Sequence, residues 1–171
     1  MSQLVELRTE FIRSWGEMGT YWGINRTMAQ IHALLMISTR PVSTDDVMRE
    51  LKISRGNASM NLRELISWGL VRRQMEIGDR KEYFVSVNEV WEIFCNIVRE
   101  RKKREIEPII QSLERCTRDA AKLRPDGREV AVFRKRTGEL LDFLRLANQV
   151  MERLSGQADS RVFRAMLRAL A

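Results

Sequence analysis

The chain contains 171 residues, of which 44% are apolar and 31% charged, and its 30 Lys and Arg residues against 23 Asp and Glu residues give a formal net charge of +7. This length suits one domain, or one small domain with helical attachments, and the apolar fraction excludes wholesale disorder. The density of charged residues excludes a membrane span, and the N-terminus lacks the basic start and apolar block of a signal peptide, so we expect a cytoplasmic protein.

Residues that bind metal ions are scarce in this sequence. It has one histidine, His32, and two cysteines, Cys95 and Cys116, that lie 21 positions apart. A cytoplasmic chain keeps such cysteines reduced, and we interpret both as small hydrophobic residues. One histidine and two distant cysteines do not make a zinc site, so we predict neither a metal ion nor a cofactor.

An amphipathic helix is predicted over residues 3–20. Its apolar residues recur at steps of three and four, which places them in one stripe. The stripe consists of Leu4, Leu7, Phe11, Trp15 and Met18. We expect Gly16, Gly19 and Gly23 to loosen the end of this helix, and residues 19–23 to form a turn.

The second predicted helix covers residues 28–38 and is apolar nearly all round, which indicates a position at the centre of a core. Thr27, with Gln30 three residues later, matches the capping-box pattern and is the expected N-cap. We interpret His32, which lies within this helix, as a hydrogen-bonded residue of the core or its rim rather than as a sensor.

A short helix over residues 44–51 follows. Pro41 ends the preceding helix because the residue before a proline avoids the helical region, and Val42 can add one short strand. Ser43, with Asp46 three positions later, is the expected cap of the short helix.

A tight turn at residues 52–53 leads into the next predicted helix, residues 55–68. Ser54 is its expected N-cap, and Gly69 stands where a C-cap glycine belongs. Two strand-like runs come next, residues 70–77 and residues 82–87, and the second alternates Tyr83, Val85 and Val87 with other residues. Residues 78–81, a glycine followed by three charged residues, join the runs as the tip of a hairpin.

The C-terminal half is predicted to be helical. Asn88 can cap a long helix that runs from residue 89 to residue 121, and Pro108 should bend or break it. Residues 122–127 form the clearest linker in the chain.

A further helix is predicted over residues 129–154, and a last short helix over residues 159–170. Six of seven positions of a heptad seam on the longer helix are apolar, and Arg136 holds the seventh. The apolar positions are Phe133, Leu140, Phe143, Ala147, Val150 and Leu154.

The element order from residue 28 to residue 87 is that of a winged helix-turn-helix. We therefore predict a mainly α fold with a small β-hairpin wing, and a recognition helix at residues 55–68. At about 100° per residue, Ala58, Leu62 and Leu65 share one face, which should point to the core.

The opposite face of the recognition helix carries no acidic residue between Arg55 and Arg63, whereas an ordinary solvated helix carries more Glu and Lys. Arg63 suits guanine or phosphate, Asn57 suits adenine, and Met60 suits a thymine methyl group. Serine side chains suit phosphate contacts. The predicted DNA-contacting residues of this helix are Ser54, Arg55, Asn57, Ser59, Met60 and Arg63.

The wing supplies two further predicted DNA contacts, Arg80 and Lys81, which are placed to enter a minor groove or to hold phosphates. The alternative interpretation of Arg80 is that it is an exposed charged residue of a hairpin with no role in DNA binding. The sequence leaves open which of the two residues enters the groove.

Three segments of the chain resemble MarR-type winged-helix transcription regulators, and among them the GbsR branch. They are the stretch from Leu51 to Leu65, the segment Trp68-Gly69-Leu70-Val71-Arg72 and the wing Gly78-Asp79-Arg80-Lys81-Glu82-Tyr83-Phe84. The resemblance implies a homodimer whose N-terminal and C-terminal helices interlock. It divides the chain into residues 1–23 (N-terminal helix), 24–87 (winged domain) and 88–171 (helical dimerisation region). The alternative for the seam is packing against the long helix of the same chain.

The resemblance also implies that a small effector binds between the dimer helices and the winged domain. Four aromatic residues lie near that junction, and an aromatic box binds quaternary ammonium groups by cation–π attraction. They are Trp15, Tyr21, Trp22 and Trp91. Ordinary core packing is the interpretation we favour for these rings.

The leading hypothesis is thus that the chain is a dimeric, sequence-specific DNA-binding transcription regulator. Regulators of this kind most often act as repressors. The chain would bind double-stranded DNA at a palindromic operator. The alternative is a winged-helix module that binds other proteins and not DNA. An enzyme is not expected, because the sequence has no phosphate-binding glycine loop, no nucleophile elbow and no metal cluster.

Overall fold

The computed structural model describes residues 3–75, 78–79, 81–124 and 127–156, which form a mainly α fold with a small antiparallel sheet, as the sequence predicted. The chain divides into two compact units, a first unit Met1–Ile93 and a second unit Phe94–Ala171. The elements are α1 Gln3–Tyr21, α2 Arg26–Met36, β1 Val42–Ser43, α3 Thr44–Leu51, α4 Arg55–Ser67, β2 Val71–Met75, β3 Glu82–Ser86, α5 Val90–Arg101, a π-helical turn Lys102–Ile106, α6 Glu107–Lys122 and α7 Arg128–Gly156.

The glycines of α1 do not loosen its end, and this expectation was wrong. The helix continues to Tyr21, and Gly16 and Gly19 are buried where α1 packs on α2. A Cβ atom added to Gly19 would lie 2.6 Å from the Cβ of Ala29. Glycine is therefore required for the close approach of the two helices, and the turn begins only near Gly23, whose φ is +71°.

Helix α2 occupies the centre of the first unit, as its all-round apolar character predicts. The residue that caps it is Asn25, whose side-chain oxygen accepts a hydrogen bond from the Met28 N–H at 3.1 Å. The prediction of Thr27 as N-cap was wrong, because the helix begins at Arg26 and Thr27 lies inside its first turn. Asparagine and threonine are both favoured at the N-cap position, and Asn25 and Thr27 lie only two positions apart.

His32 is a buried, hydrogen-bonded residue of α2, which confirms the core interpretation. Its Nε2 lies 3.4 Å from the Ser86 hydroxyl, and that hydroxyl donates to the Val87 carbonyl at 3.0 Å, so it accepts from the Nε2–H of the ring. The Trp15 ring lies 6.3 Å from the imidazole between centroids. Burial lowers the pKa of His32 to about 4, so the ring is neutral at physiological pH.

The helix-turn-helix is built by the caps that the sequence predicts. Ser43 and Asp46 form a reciprocal capping box at the start of α3, and Ser54 accepts a hydrogen bond from the Asn57 N–H at 3.3 Å at the start of α4. Between the helices Lys52 adopts a left-handed conformation with φ of 54°, which makes the turn tight. The hydrogen bond from the Ser43 hydroxyl to Asp46 holds the pKa of that carboxyl at about 2.

Strand β3 lies at the centre of a three-stranded sheet in the order β1, β3, β2. Val42 of β1 pairs with Phe84, and Arg73 of β2 pairs with the same residue from the other side. The predicted short strand at Val42 is thus confirmed, and it joins the wing to the start of α3. The strands are shorter than the predicted runs, and Ile77, at the end of the first run, lies outside the described residues.

Pro108 neither breaks nor ends the long C-terminal helix, because a π-helical turn just before it accommodates the proline ring. Proline lacks the N–H that an α-helix needs and its ring crowds the carbonyl four residues earlier. The turn Lys102–Ile106 widens the helix just before the proline, and the Glu107 N–H donates to the Lys102 carbonyl, five residues back. Lys102 also pairs with Glu152 at 2.6 Å within the second unit.

Helix α7 packs on α6 through a face that the sequence analysis did not select. Leu141 and Ala120 are buried in this contact, and Arg134 donates to the Ala120 carbonyl at 2.9 Å. The predicted seam is displaced from this face by one residue, about 100° around the helix. Its large members Phe133, Leu140, Phe143 and Val150 are 47% to 64% exposed. The alternative that the seam packs against the long helix of its own chain was therefore wrong.

Neither cysteine forms a disulfide bond. Cys95 is buried, which raises the pKa of its thiol, and Cys116 is exposed. The predicted helix over residues 159–170 lies outside the described residues. Within residues 3–156, as far as the structure describes them, no helix combines the length and the apolar character that crossing a bilayer requires.

Candidate nucleic-acid interface

Helix α4 has one buried and one exposed face, and the division follows the sequence prediction. Ala58, Leu62 and Leu65 are buried in the core of the first unit. Together with the buried Asn61 they fix the rotation of the helix, so Met60 and Arg63 face outward. Met60 on that outward face is 56% exposed.

The exposed N-terminal end of α4 holds three of the predicted residues. Ser54 is the N-cap, so its hydroxyl is engaged with the helix backbone. Arg55 forms an ion pair with Asp45 of α3. The Asn57 side-chain oxygen accepts a hydrogen bond from the Asn61 amide at 2.6 Å, which orients the Asn57 amide.

The second turn of α4 presents Ser59, Met60 and Arg63. Arg63 is exposed, and its Nε donates to the Ser59 carbonyl at 3.2 Å. No carboxylate among the described residues pairs with the Arg63 guanidinium. Its remaining N–H groups are therefore available to a bidentate acceptor such as guanine or phosphate.

The wing lies beside this helix end, and one of its two predicted contact residues can be placed. Lys81 is exposed, its Nζ lies 3.8 Å from Asp45 Oδ2, and its backbone N–H donates to Asp79 Oδ1 at 3.0 Å. The Tyr83 hydroxyl donates to the other oxygen of Asp79 at 2.7 Å, so Asp79 holds the hairpin tip against the start of β3. Arg80 lies outside the described residues.

A groove of about 280 Å³ runs between α4 and the sheet. Arg63 and Arg73 contribute one cation from each side, and Glu82 pairs with Arg73 at 3.4 Å. The other lining residues are Thr44, Ser59, Leu62 and Phe84. The structure thus brings Ser59 and Arg63, which the sequence selected as DNA contacts, next to Arg73 at the base of the wing.

Asp45 is the residue of this surface that the sequence analysis missed. It precedes Arg55 by ten positions, and only the packing of α3 against α4 and the wing places its carboxylate between Arg55 and Lys81. The acidic first turn of α3 was visible in the sequence as a helix-dipole signal, which does not indicate a contact with another element. The outward face of α4 has no acidic residue of its own between Arg55 and Arg63. In the fold, however, Asp45 of α3 lies at the edge of that face.

The four aromatic residues of the expected effector site have different surroundings. Trp15 is half-buried between Phe11, 5.7 Å away between centroids, and His32, as core packing predicts. Tyr21 is 88% exposed and Trp22 is 52% exposed at the end of α1. Trp91 is half-buried in the first turn of α5.

The part of the chain that the structure describes contains no cluster of three His, Cys, Asp or Glu side chains that could hold a metal ion. Its basic surface, instead, combines an exposed helix end with a neighbouring β-hairpin. This architecture defines a winged helix-turn-helix protein.

Comparison with known proteins relates this winged helix-turn-helix to the MarR type. Residues 22–82, which hold the helix-turn-helix and most of the wing, match the model of the MarR family. A solved structure described as a transcriptional regulator has the same fold, with a TM-score of 0.66 and 20% identity over 88% of this chain and 96% of that one. The resemblance predicted from the sequence is thus confirmed over residues 22–82.

One curated relative is the HTH-type transcriptional repressor GbsR of Bacillus subtilis (strain 168). The two proteins are 22% identical over 118 residues, which is 69% of this chain and 65% of that repressor. The match therefore spans just under two thirds of the relative.

Proposed function

We propose that this chain is a sequence-specific DNA-binding transcription regulator that acts as a homodimer and represses transcription from a palindromic operator. The observation that carries the proposal is the outward face of α4, where the unpaired and exposed Arg63 stands beside Met60 and close to the wing. The match of residues 22–82 to the MarR family supports it. A repressor of this kind acts by occupying the promoter.

In the proposed complex the N-terminal end and outward face of α4 lie in the major groove. Arg63 contacts guanine, Asn57 contacts adenine and Met60 contacts a thymine methyl group. Ser54, Arg55 and Ser59 contact phosphates, and Arg80 and Lys81 of the wing hold the minor groove or its phosphates.

Selection of bound duplexes from a random library tests sequence-specific binding, and we expect a palindromic motif. On a selected site, Arg63→Ala should weaken binding by about 1–3 kcal/mol. Arg13→Ala is the control, because Arg13 lies on α1 and pairs with Glu10, away from α4. An Arg63→Ala variant that binds the selected site as tightly as the wild type would show that α4 is not the element that recognises the bases.

The homodimer is supported by apolar surface that nothing in the described chain covers. On α7 it comprises Phe133, Leu140, Phe143 and Val150 of the predicted seam, with Phe143 at 64% exposure, and on α1 it includes Leu4 and Leu7. Exposed apolar stripes of this length are characteristic of protein–protein contacts. A two-fold dimer would present two α4 helices about one DNA turn apart, which is what a palindrome requires.

Sedimentation velocity at micromolar concentration tests this assembly. We expect a dimeric mass for the wild type and a monomeric mass for Phe143→Glu, because a carboxylate in an apolar interface is not solvated. Gln149→Glu is the matched control, since Gln149 is exposed about 150° away from the centre of the seam. A wild-type monomer would refute the dimer.

A protein–protein module without DNA affinity is the second candidate function, and the same duplexes discriminate against it. DNA binding through phosphates weakens steeply as salt concentration rises. A chain that is not retained by any duplex at low salt would support the alternative.

We also propose that a small effector with a quaternary ammonium group binds near Trp15, Tyr21, Trp22 and Trp91. The exposure of Tyr21 and Trp22 supports it, because their ring faces can receive a cation. Tryptophan fluorescence during titration with a tetraalkylammonium salt, with sodium chloride as the ionic-strength control, should show saturable quenching. A response equal to that of sodium chloride would eliminate the proposal.

A further inference from the structure

The first turn of α3 places a carboxylate at the junction of the recognition helix and the wing. Asp45 pairs with Arg55, the first residue of α4, and its Oδ2 lies 3.8 Å from the Nζ of Lys81. Both cations belong to the proposed DNA-contacting set. One acidic side chain therefore neutralises a cation from each of the two elements that would approach the duplex.

Helix capping does not explain where Asp45 makes its contacts. The capping role belongs to Asp46, whose Oδ2 accepts from the Ser43 backbone N–H at 3.1 Å and from the Ser43 hydroxyl at 2.7 Å. Asp45 takes no part in this box, and both of its ion pairs leave α3. Its negative charge favours the N-terminus of α3 in any orientation, so the pairing with Arg55 and Lys81 is a separate feature.

We infer that Asp45 competes with DNA phosphates for Arg55 and Lys81 and thereby limits the sequence-independent part of DNA binding. The inference rests on the proposed DNA-binding function. A phosphate that reaches either cation must displace the Asp45 carboxylate or remain beside a like charge. Because every duplex carries phosphates, this competition opposes binding to any sequence, and occupancy then depends more strongly on the base contacts of Arg63.

The exposure of the three side chains makes this competition reversible. Asp45 is 43% exposed, and Arg55 and Lys81 are more exposed still. Ion pairs in such surroundings are weak, so a phosphate can replace the carboxylate without a large loss. Asp45→Asn should therefore increase the affinity for a random duplex about threefold to tenfold at low salt. The slope of log K against log salt concentration should steepen by about one, as for one added phosphate contact.

The experiment is fluorescence anisotropy of a random-sequence duplex titrated with the full chain at several salt concentrations. Asp45→Asn is compared with the wild type and with Glu50→Gln, which removes the same charge from the same helix. Glu50 lies five positions further along, about 140° around α3, and lines a separate groove with Arg8 and Arg40. We expect Glu50→Gln to change the affinity less than twofold and to leave the salt slope unchanged.

The outcomes separate this inference from the function on which it rests. If the wild type shows no salt-dependent binding to any duplex, DNA binding itself is refuted, and the competition with it. If the wild type binds and Asp45→Asn behaves like Glu50→Gln, the competition is refuted alone. Weaker binding by Asp45→Asn would also overturn it, because Asp45 would then position Arg55 for DNA. Asp45→Ser, with a thermal melt of each variant, gives the same comparison if the asparagine variant folds poorly.

Discussion

The contact between α1 and α2 depends far more on the glycine at position 19 than on the glycine at position 16. Replacing each of them by alanine can show this. A Cβ atom at Gly19 would lie 2.6 Å from the Ala29 Cβ, and a Cβ atom at Gly16 would lie 2.6 Å from the Gln30 Cγ. The two distances are equal, but the neighbours differ. The Ala29 Cβ can move only with the backbone of α2, whereas the Gln30 side chain can rotate away.

The magnitude follows from opposing contributions. Carbon atoms in contact lie about 3.5–4.0 Å apart, so Gly19→Ala must separate the helices by about 1 Å. Overpacking of this kind costs about 1–3 kcal/mol, while alanine gains about 1 kcal/mol of helix propensity over glycine. We expect Gly19→Ala to lower the free energy of unfolding by up to about 2 kcal/mol, the difference between these two contributions. Gly16→Ala should leave it unchanged or raise it by up to about 1 kcal/mol.

Urea unfolding followed by far-ultraviolet circular dichroism measures both variants. Gly56→Ala serves as a reference for alanine in open space, because nothing lies within 4 Å of its added Cβ atom. The reasoning would be refuted if Gly19→Ala were as stable as Gly56→Ala at an unchanged dependence on urea. It would also be refuted if Gly16→Ala and Gly19→Ala lost stability equally.

Two further predictions concern the core of the first unit. Because the pKa of His32 is about 4 in the fold and 6.5 unperturbed, the unfolded chain binds the extra proton, and stability should fall as pH drops from about 6.5 towards 4, by about 2 kcal/mol at pH 5. His32→Gln should flatten the unfolding free energy between pH 7 and pH 5, and a slope equal to that of the wild type would assign the effect to another group. Asn25→Ala should cost about 1 kcal/mol through loss of the α2 cap, measured by the same unfolding assay. Thr27→Ala should cost less, and a greater loss from Thr27→Ala would restore Thr27 as the cap.

The helix-turn-helix could be predicted because its signals are local. A serine followed three residues later by Asp46 caps α3, and Ser54 caps α4, through contacts that span only three positions. The rotation of α4 follows from Ala58, Leu62 and Leu65, whose spacing alone defines a buried face. The outward face of the candidate interface was therefore accessible to sequence reasoning.

The seam on α7 shows where periodicity becomes ambiguous. A heptad pattern identified an apolar stripe correctly, but α7 has a second face, one residue further along, that packs on α6 around Leu141. Both faces share the same period, so only the contact with a neighbouring helix decides which one is buried. That the stripe around Phe143 remains exposed is a result of the tertiary structure.

Within residues 3–156, the sequence was enough to predict where most helices lie, the caps of the helix-turn-helix and the face that α4 turns outward, because each depends on residues within about one helical turn. The tertiary structure alone decided the rest. Asp45 meets Arg55 and Lys81 across three elements, and Gly19 meets Ala29 across two helices. The net charge of +7 says little about such contacts. What a phosphate would meet depends on which opposite charges the fold brings beside each cation.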